Sequence, residues 1–372
     1  LSTLSTSDYT YMNLALRLAA QGLYTTQPNP RVGCVIVRDH QIVGQGAHLK
    51  AGEPHAEVFA LRQAGALTEG ADVYVTLEPC SHFGKTPPCV QAVIAAKPKR
   101  VIIAMQDPNP LVAGRGVAAL RAQGIEVVVG LLEQEAAALN AGFISRMTRG
   151  LPYVRSKIAA SLDGRTALSN GKSQWITGAA ARQDVQHWRA QSCVILTGIG
   201  TVLADDPSMT VRLTADMRQP VRVIVDSQLR LPVGSKILEP SMLANSPVVV
   251  AYATDTQQRA AALEAKGAEL VHIANQTQQV DLPQLLQVLA QRGVNEVLVE
   301  AGQGLNGALL HAGLIDEFIF YYAPKLMGSA AHGMFAMPEF TTMQQVPDLQ
   351  VLDVRQVGTD IRVRAKPIAR AI

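Results

Sequence analysis

Asp72-Val73-Tyr74-Val75-Thr76-Leu77-Glu78-Pro79-Cys80-Ser81-His82-Phe83-Gly84-Lys85-Thr86-Pro87-Pro88-Cys89 is the stretch of this 372-residue chain that decides the fold. Its first six residues form a short, β-branched, apolar run, which reads as a buried strand that Pro79 ends. From Cys89 to Ala96 the pattern turns helical, so a strand feeds a loop that carries a thiol at either end. The same alternation extends outward. Downstream lie a strand at Arg100–Met105, a helix at Val117–Ala122 and a strand at Ile125–Val129. Upstream, a helix at Tyr9–Gln21 ends at Gly22. A hairpin then joins Val32–Val37 to Ile42–Gly46 through Asp39 and His40, and His55–Gln63 is helical. Strands alternating with helices predict an α/β fold with a parallel or mixed sheet covered on both faces.

One hydrophobic core rarely organises a chain of this length, so two domains are expected. Leu132–Arg146 reads as one helix rich in Ala, Leu and Glu. Arg146 and Arg149 suit the C-terminal end of its dipole, and Gly150 and Pro152 stop it. The boundary is placed there, giving domains 1–148 and 149–372. In the second half, strands are expected at Tyr153–Ile158, Val194–Thr197, Val221–Asp226, Val248–Tyr252 and Glu296–Glu300. Helices are expected at Ala179–Ala190, Gln257–Lys266, Leu282–Arg292 and Leu305–Ala312. Leu349–Val357 and Ile361–Ala365 read as a closing antiparallel pair. Residues 228–292 are functionally quiet.

Hydrophobic residues at 48% and charged residues at 17% exclude a disordered chain. The 33 basic and 30 acidic side chains divide as 12 and 11 before residue 148, and 21 and 19 after it. Neither half carries the basic footprint of a nucleic-acid or membrane-surface binder, so no such partner is expected. The four cysteines are too few for a disulfide scaffold. No apolar run reaches the ~20 residues of a membrane span, and the N-terminus has no signal-peptide pattern. The expectation is a soluble cytoplasmic protein acting on small molecules.

His55, in Pro54-His55-Ala56-Glu57, supplies an imidazole, and Cys80 and Cys89 supply two thiolates. Three such ligands suit Zn2+ and leave its fourth position for water, as a catalytic site requires. Zinc lowers the pKa of bound water to about 7. Glu57, two residues beyond His55, is placed to carry a proton from that water to a departing amine. A structural zinc would need a fourth protein ligand, from His82 or from Cys34, and Cys34 lies in an apolar run where packing is expected.

These residues resemble the zinc-dependent cytidine and deoxycytidylate deaminase superfamily, whose signature is H-x-E followed by P-C-x-x-C. Here eight residues, not two, separate Cys80 from Cys89. That longer loop is similar to the one in the bifunctional riboflavin-biosynthesis deaminase–reductase family. Asn29-Pro30-Arg31-Val32-Gly33 and Asp107-Pro108-Asn109-Pro110 also resemble that family, and the likeness runs through nearly the whole chain. It implies a cytidine-deaminase-like α/β/α sandwich that hydrolytically deaminates a phosphoribosylamino diaminopyrimidinone. By the same analogy Asn29, His48, His82 and Lys85 contact this substrate. Asn29 as a turn residue, and the others as members of a solvated loop, are the plainer readings.

The second half is similar to the family's reductase domain, a dihydrofolate-reductase-like α/β domain that uses NADPH to reduce the ribosyl group to ribityl. Lys157-Ile158-Ala159-Ala160-Ser161-Leu162-Asp163-Gly164-Arg165 and Ser173-Gln174-Trp175-Ile176-Thr177 carry that likeness. It implies Ala159, Trp175, Thr201, Asp205, Ser227, Gly302, Gln303, Gly304, Leu305, Asn306, Gly307 and Ala308 as cofactor contacts. For substrate it implies Ser173, Arg189, Met209, Arg212 and Glu300. Gly302-Gln303-Gly304-Leu305-Asn306-Gly307 has the glycine spacing of a phosphate loop. No second strand ends in an acidic residue about 20 positions on, as a Rossmann ribose site needs. Ala301 stands where the family commonly has glycine. Asp205 and Glu300 are expected to stabilise the charge of a ring-opened imine, with Lys157 a further candidate, while Arg189 and Arg212 hold the substrate phosphate by forked hydrogen bonds. The alternatives are a turn at Asp205-Asp206-Pro207, a solvated Arg189 and a core Trp175. For the whole chain they are a nucleic-acid-editing deaminase, or a second half serving only dimerisation. A homodimer is common for such folds and is expected.

Overall fold

The structure is a computed structural model and describes residues 4–81, 88–110, 112–214 and 217–368. The chain divides between Gly150 and Leu151 into two compact units.

In the first unit the elements are α1 (Thr6–Ala20), β1 (Gly33–Arg38), β2 (Gln41–Ala47), α2 (Ala56–Ala64), β3 (Asp72–Val75), α3 (Cys89–Ala95), β4 (Arg100–Ile103), α4 (Arg115–Ala122), β5 (Glu126–Val129), α5 (Glu133–Leu139) and α6 (Ala141–Arg149). The sheet runs β2-β1-β3-β4-β5, antiparallel across its first three strands and parallel from β3 onward. Asp39 and His40 both have positive φ at the β1–β2 turn, which matches the right-handed twist of a tight hairpin. Val35, Ile36, Tyr74, Ile102 and Ile103 are fully buried, so the central strands are covered on both faces. Helix α2 lies very close to β2: a Cβ on Gly46 would stand 2.2 Å from the Ala56 carbonyl oxygen.

The single helix expected over Leu132–Arg146 is two helices, α5 and α6, broken at Asn140. The Asn140 side chain accepts from Arg31 N–H at 2.8 Å and donates to Arg31 C=O at 3.0 Å. A distant strand entry thus claims this residue, and local helix propensity yields.

The second unit contains β6 (Tyr153–Ser161), β7 (Arg165–Ala167), α7 (Ala179–Gln191), β8 (Val194–Gly198), α8 (Ile199–Asp205), β9 (Val221–Val225), α9 (Pro240–Leu243), β10 (Val248–Tyr252), α10 (Ala260–Ala265), β11 (Ala268–His272), α11 (Leu282–Gln291), β12 (Glu296–Val299), α12 (Gln303–His311), β13 (Glu317–Ala323), β14 (His332–Gly333), β15 (Leu349–Val357) and β16 (Asp360–Pro367). Nine strands form one sheet in the order β11-β10-β9-β8-β12-β6-β13-β16-β15. The strands from β11 to β13 are parallel, and β16 and β15 close the sheet antiparallel. The C-terminal ends of β6, β12, β8 and β9 therefore share one edge, where open α/β sheets place their ligands. Strand β13 was not among the sequence expectations, although Phe318-Ile319-Phe320-Tyr321-Tyr322 has the continuous apolar run of a buried strand.

Candidate active sites

His55 caps the N-terminus of α2, Glu57 lies in its first turn, Cys80 follows β3, and Cys89 opens α3. The fold brings these four residues together. His55 Nδ1 is 3.2 Å from Cys89 Sγ and 3.6 Å from Cys80 Sγ, and the three donor atoms all lie within 4.8 Å of one another. One imidazole and two thiols at that spacing fit a zinc ion with a corner to spare. Cys34 is buried inside β1 as core, and burial pushes its thiol up. A hydrogen bond from Cys89 lowers the pKa of the Cys80 thiol, with further help from His55 and from the Cys89 N–H at 3.2 Å.

Glu57 is 3% exposed, and its Oε2 has no hydrogen-bond partner. A buried carboxylate oxygen without a donor is costly unless something outside the chain satisfies it. Burial raises Glu57 to about 7 against the opposing pull of His55.

Beside it, His48 Nδ1 sits 3.2 Å from the Pro54 carbonyl oxygen and must carry the proton there. Its Nε2 is then the acceptor for Asn29 Nδ2 at 3.1 Å. Burial lowers the pKa of His48, in keeping with this neutral form. Asn29, His48, His55, Glu57 and Cys80 line one cavity of about 450 Å3. Helix α6 adds Phe143, Arg146 and Met147 to its wall, which the sequence reading had missed. The i, i+4 spacing of Phe143 and Met147 marks an apolar face without saying what that face lines. Glu78, also in the wall, accepts from the N–H groups of Asp107, Gly114 and Val117 at 2.9–3.2 Å. It fastens Asp107, Gly114 and the first turn of α4 to the end of β3. His82 and Lys85 lie outside the described residues.

In the second unit, a cavity of about 1810 Å3 opens along the shared strand edge. Lys157, Ala159, Ser173, Trp175, Arg189, Thr201, Asp205, Met209, Arg212, Ser227, Glu300, Gly302, Gln303, Gly304, Leu305 and Ala308 all line it. Trp175 is 64% exposed on its wall, so the core reading does not hold. The N–H groups of Gln303, Gly304 and Leu305 precede the first bond of α12, which runs from Asn306 N–H to the Gly302 carbonyl. A Cβ on Gly200, Gly302 or Gly304 would meet nothing within 4 Å. Open space beside free N–H groups suits a pyrophosphate.

Two glycine-loop residues do not line the cavity. Asn306 is buried, accepts from Ser156 Oγ at 2.9 Å and donates to the Ala301 carbonyl at 2.9 Å. A Cβ on Gly307 would stand 2.0 Å from the Ala336 carbonyl oxygen, so this glycine allows chain packing rather than ligand approach. The expected separate roles of Arg189 and Glu300 also change. Arg189 grips Glu300 with both prongs, Nε to Oε1 at 2.6 Å and Nη2 to Oε2 at 2.9 Å, and Lys157 Nζ is 4.0 Å from Oε2. The Arg189 fork is occupied, and it is not on a solvated face. Asp205 accepts from Ser173 Oγ and Gln174 Nε2, both at 3.3 Å. Arg230, Lys236, Asn275 and Gln279 line the same cavity, so the 228–292 segment, expected to be functionally quiet, contributes to its wall.

One unit holds a metal-ready pocket, and the other a large cavity at the ends of parallel strands beside a helix N-terminus, an arrangement suited to an enzyme with two active sites. Residues 5–105 match the cytidine and deoxycytidylate deaminase zinc-binding region, and residues 152–363 match the RibD C-terminal domain. The chain is 48% identical to the riboflavin biosynthesis protein RibD of Escherichia coli K12, covering 95% of this chain and 98% of that protein. Its Bacillus amyloliquefaciens counterpart is 47% identical, covering 96% and 95%. Among solved structures, Acinetobacter baumannii RibD superposes with TM-score 0.89 at 50% identity, over 97% of this chain and 99% of that one. A Thermotoga maritima diaminohydroxyphosphoribosylaminopyrimidine deaminase/5-amino-6-(5-phosphoribosylamino)uracil reductase superposes at 0.85 with 33% identity, over 97% and 99%. The chain belongs to the RibD family and is a bifunctional deaminase and reductase of riboflavin biosynthesis, with a cytidine-deaminase-like first domain and a RibD reductase second domain. Among the described residues, no helix is long and apolar enough to cross a membrane.

Proposed function

We propose that the first domain deaminates 2,5-diamino-6-(5-phosphoribosylamino)pyrimidin-4-one and that the second reduces the resulting 5-amino-6-(5-phosphoribosylamino)uracil with NADPH. The observation that carries this reading is the convergence of His55, Cys80 and Cys89 beside the unpartnered oxygen of Glu57. His55, Cys80 and Cys89 would hold Zn2+, which would supply Lewis acidity to a bound water. Glu57 takes a proton from that water and delivers it to the leaving amine, so water and the ring amine become a ring carbonyl and ammonia. Asn29 and His48 orient the pyrimidine through the hydrogen-bonding edge they form together.

In the second domain bound NADPH would supply the hydride that, with a proton from solvent, reduces the ring-opened ribosylamine. The α12 N-terminus and the open faces of Gly200, Gly302 and Gly304 hold the pyrophosphate. Lys157, clasped with Glu300 and Arg189, positions and neutralises the reacting end. With Arg189 committed, Arg212, exposed on the cavity wall, takes the substrate phosphate. The enzyme is read as a cytoplasmic homodimer. The exposed apolar residues Val351, Leu352 and Val354 on edge strand β15 support the pairing.

Incubating the protein with the diaminopyrimidinone phosphoribosyl compound tests the sequence of reactions. Ammonia release without NADPH is expected, followed by cofactor oxidation once NADPH is added. Cofactor oxidation that precedes ammonia release would overturn the order.

A further inference from the structure

The segment from Ser173 to Thr177 is held to the wall of the large cavity by side chains from three separate parts of the chain. Ser173 Oγ and Gln174 Nε2 donate to Asp205 Oδ1 at the end of α8, both at 3.3 Å. Lys325 Nζ, just beyond β13, donates to the Trp175 carbonyl oxygen at 2.8 Å. Arg182 Nη1, from α7, donates to the Thr177 carbonyl oxygen at 2.6 Å. Strand β13 runs parallel to β6, so the tie to Lys325 puts Trp175 on the side of Lys157 and Ala159, the reacting end of the cavity.

Arg182 stands against local rules. It lies in the first turn of α7, where the helix dipole disfavours a cation. Asp184 of the same helix pairs with Arg362, Glu300 of the cavity pairs with Arg189, and among the described residues no carboxylate pairs with Arg182. Trp175 holds it instead. The guanidinium carbon is 4.5 Å from the centroid of the indole ring, within the range of a cation–π contact. Long side chains on a helix lean toward its N-terminus, so Arg182 reaches back past Gly178 and covers one side of the ring. Trp175 is 64% exposed on the cavity wall, which leaves the rest of the ring open to a ligand.

We propose that Arg182 is a positioning residue for the reduction: by backing the Trp175 indole and pinning the Thr177 carbonyl, it holds the indole as a platform for the nicotinamide end of the cofactor. The proposal rests on the reading of this domain as an NADPH-dependent reductase and of Trp175 as a cofactor contact. Arg182 acts through the indole, so its effect must vanish once the indole is removed.

Equilibrium binding to the full-length protein tests it, with NADPH and with 2′,5′-ADP, which lacks the nicotinamide. Arg182→Ala is expected to weaken NADPH by about 5- to 30-fold. Binding of 2′,5′-ADP should be unchanged, which also shows that the variant is folded. Trp175→Ala should lose at least as much NADPH affinity, and adding Arg182→Ala to it should cost less than about 2-fold more. The same loss from Arg182→Ala with and without the indole, a parallel loss of 2′,5′-ADP, or no loss at all would overturn the assignment. A Trp175→Ala variant with full NADPH affinity would overturn it too. A wild type that binds neither probe would instead sink the reductase reading on which the assignment stands.

Discussion

Glu57 and Glu300 are both buried acids, and their surroundings drive them opposite ways. Burial holds Glu57 near neutrality, where a carboxyl exchanges protons in both directions at physiological pH. Glu57→Gln removes the exchangeable proton but leaves all three metal donors. Ammonia release should fall about 100- to 10,000-fold with zinc content unchanged, as a paired assay of ammonia and metal would show. Loss of zinc in parallel would mean that Glu57 serves the metal rather than the proton. At Glu300 burial alone would raise the pKa, but Arg189, then Lys157 and Arg212, outweigh it and hold the carboxyl at about 2 against an ordinary 4.5. A depressed folded-state value contributes stability above pH 4.5 that is lost as pH falls toward 2. The displacement corresponds to on the order of 3 kcal/mol. Glu300→Gln leaves Arg189 buried without its counter-charge. The urea-unfolding gap between variant and wild type should therefore be widest near neutral pH and narrow below pH 4.5. A gap independent of pH would show that the pair does not act through charge.

At the scale of elements, the approach of α2 to β2 places half of the deaminase chemistry, because His55 and Glu57 both ride on the first turn of that helix. Gly46→Ala forces a methyl toward the Ala56 carbonyl and the Phe59 side chain. Overpacking of this kind costs about 1–3 kcal/mol, and here it would push the α2 N-terminus away from Cys80 and Cys89. Lowered thermal stability together with reduced zinc occupancy is expected; full occupancy in a destabilised protein would uncouple the packing from the site. The element pattern of the first domain was legible because its signals are local: the β1–β2 turn, the apolar runs and the strand-to-thiol transition at β3. The break at Asn140 was not, because its cause is Arg31, more than a hundred residues away. Strand β13 carries a continuous apolar run, a local signal of the same kind. The Arg189–Glu300 clasp joins residues 111 apart, and neither residue type signals the other in sequence.

Across the whole molecule, each unit builds its own core and its own cavity. The metal donors were readable because their residue types are rare and their chemistry restrictive: four cysteines and eight histidines occur in 372 residues. The β9 end of the second cavity was not. Arg230, Lys236 and Gln279 are ordinary surface residue types until β9 and the 275–283 segment bring them to one wall. The central claim is a zinc ion held by one nitrogen and two sulfurs with one position left to solvent. X-ray absorption at the zinc edge of the purified full-length protein tests it most directly. Two sulfurs at about 2.3 Å, one nitrogen at about 2.0–2.1 Å and one light, inhibitor-displaceable scatterer are expected. A zinc shell closed by a fourth protein ligand, or one lacking either sulfur, would contradict it.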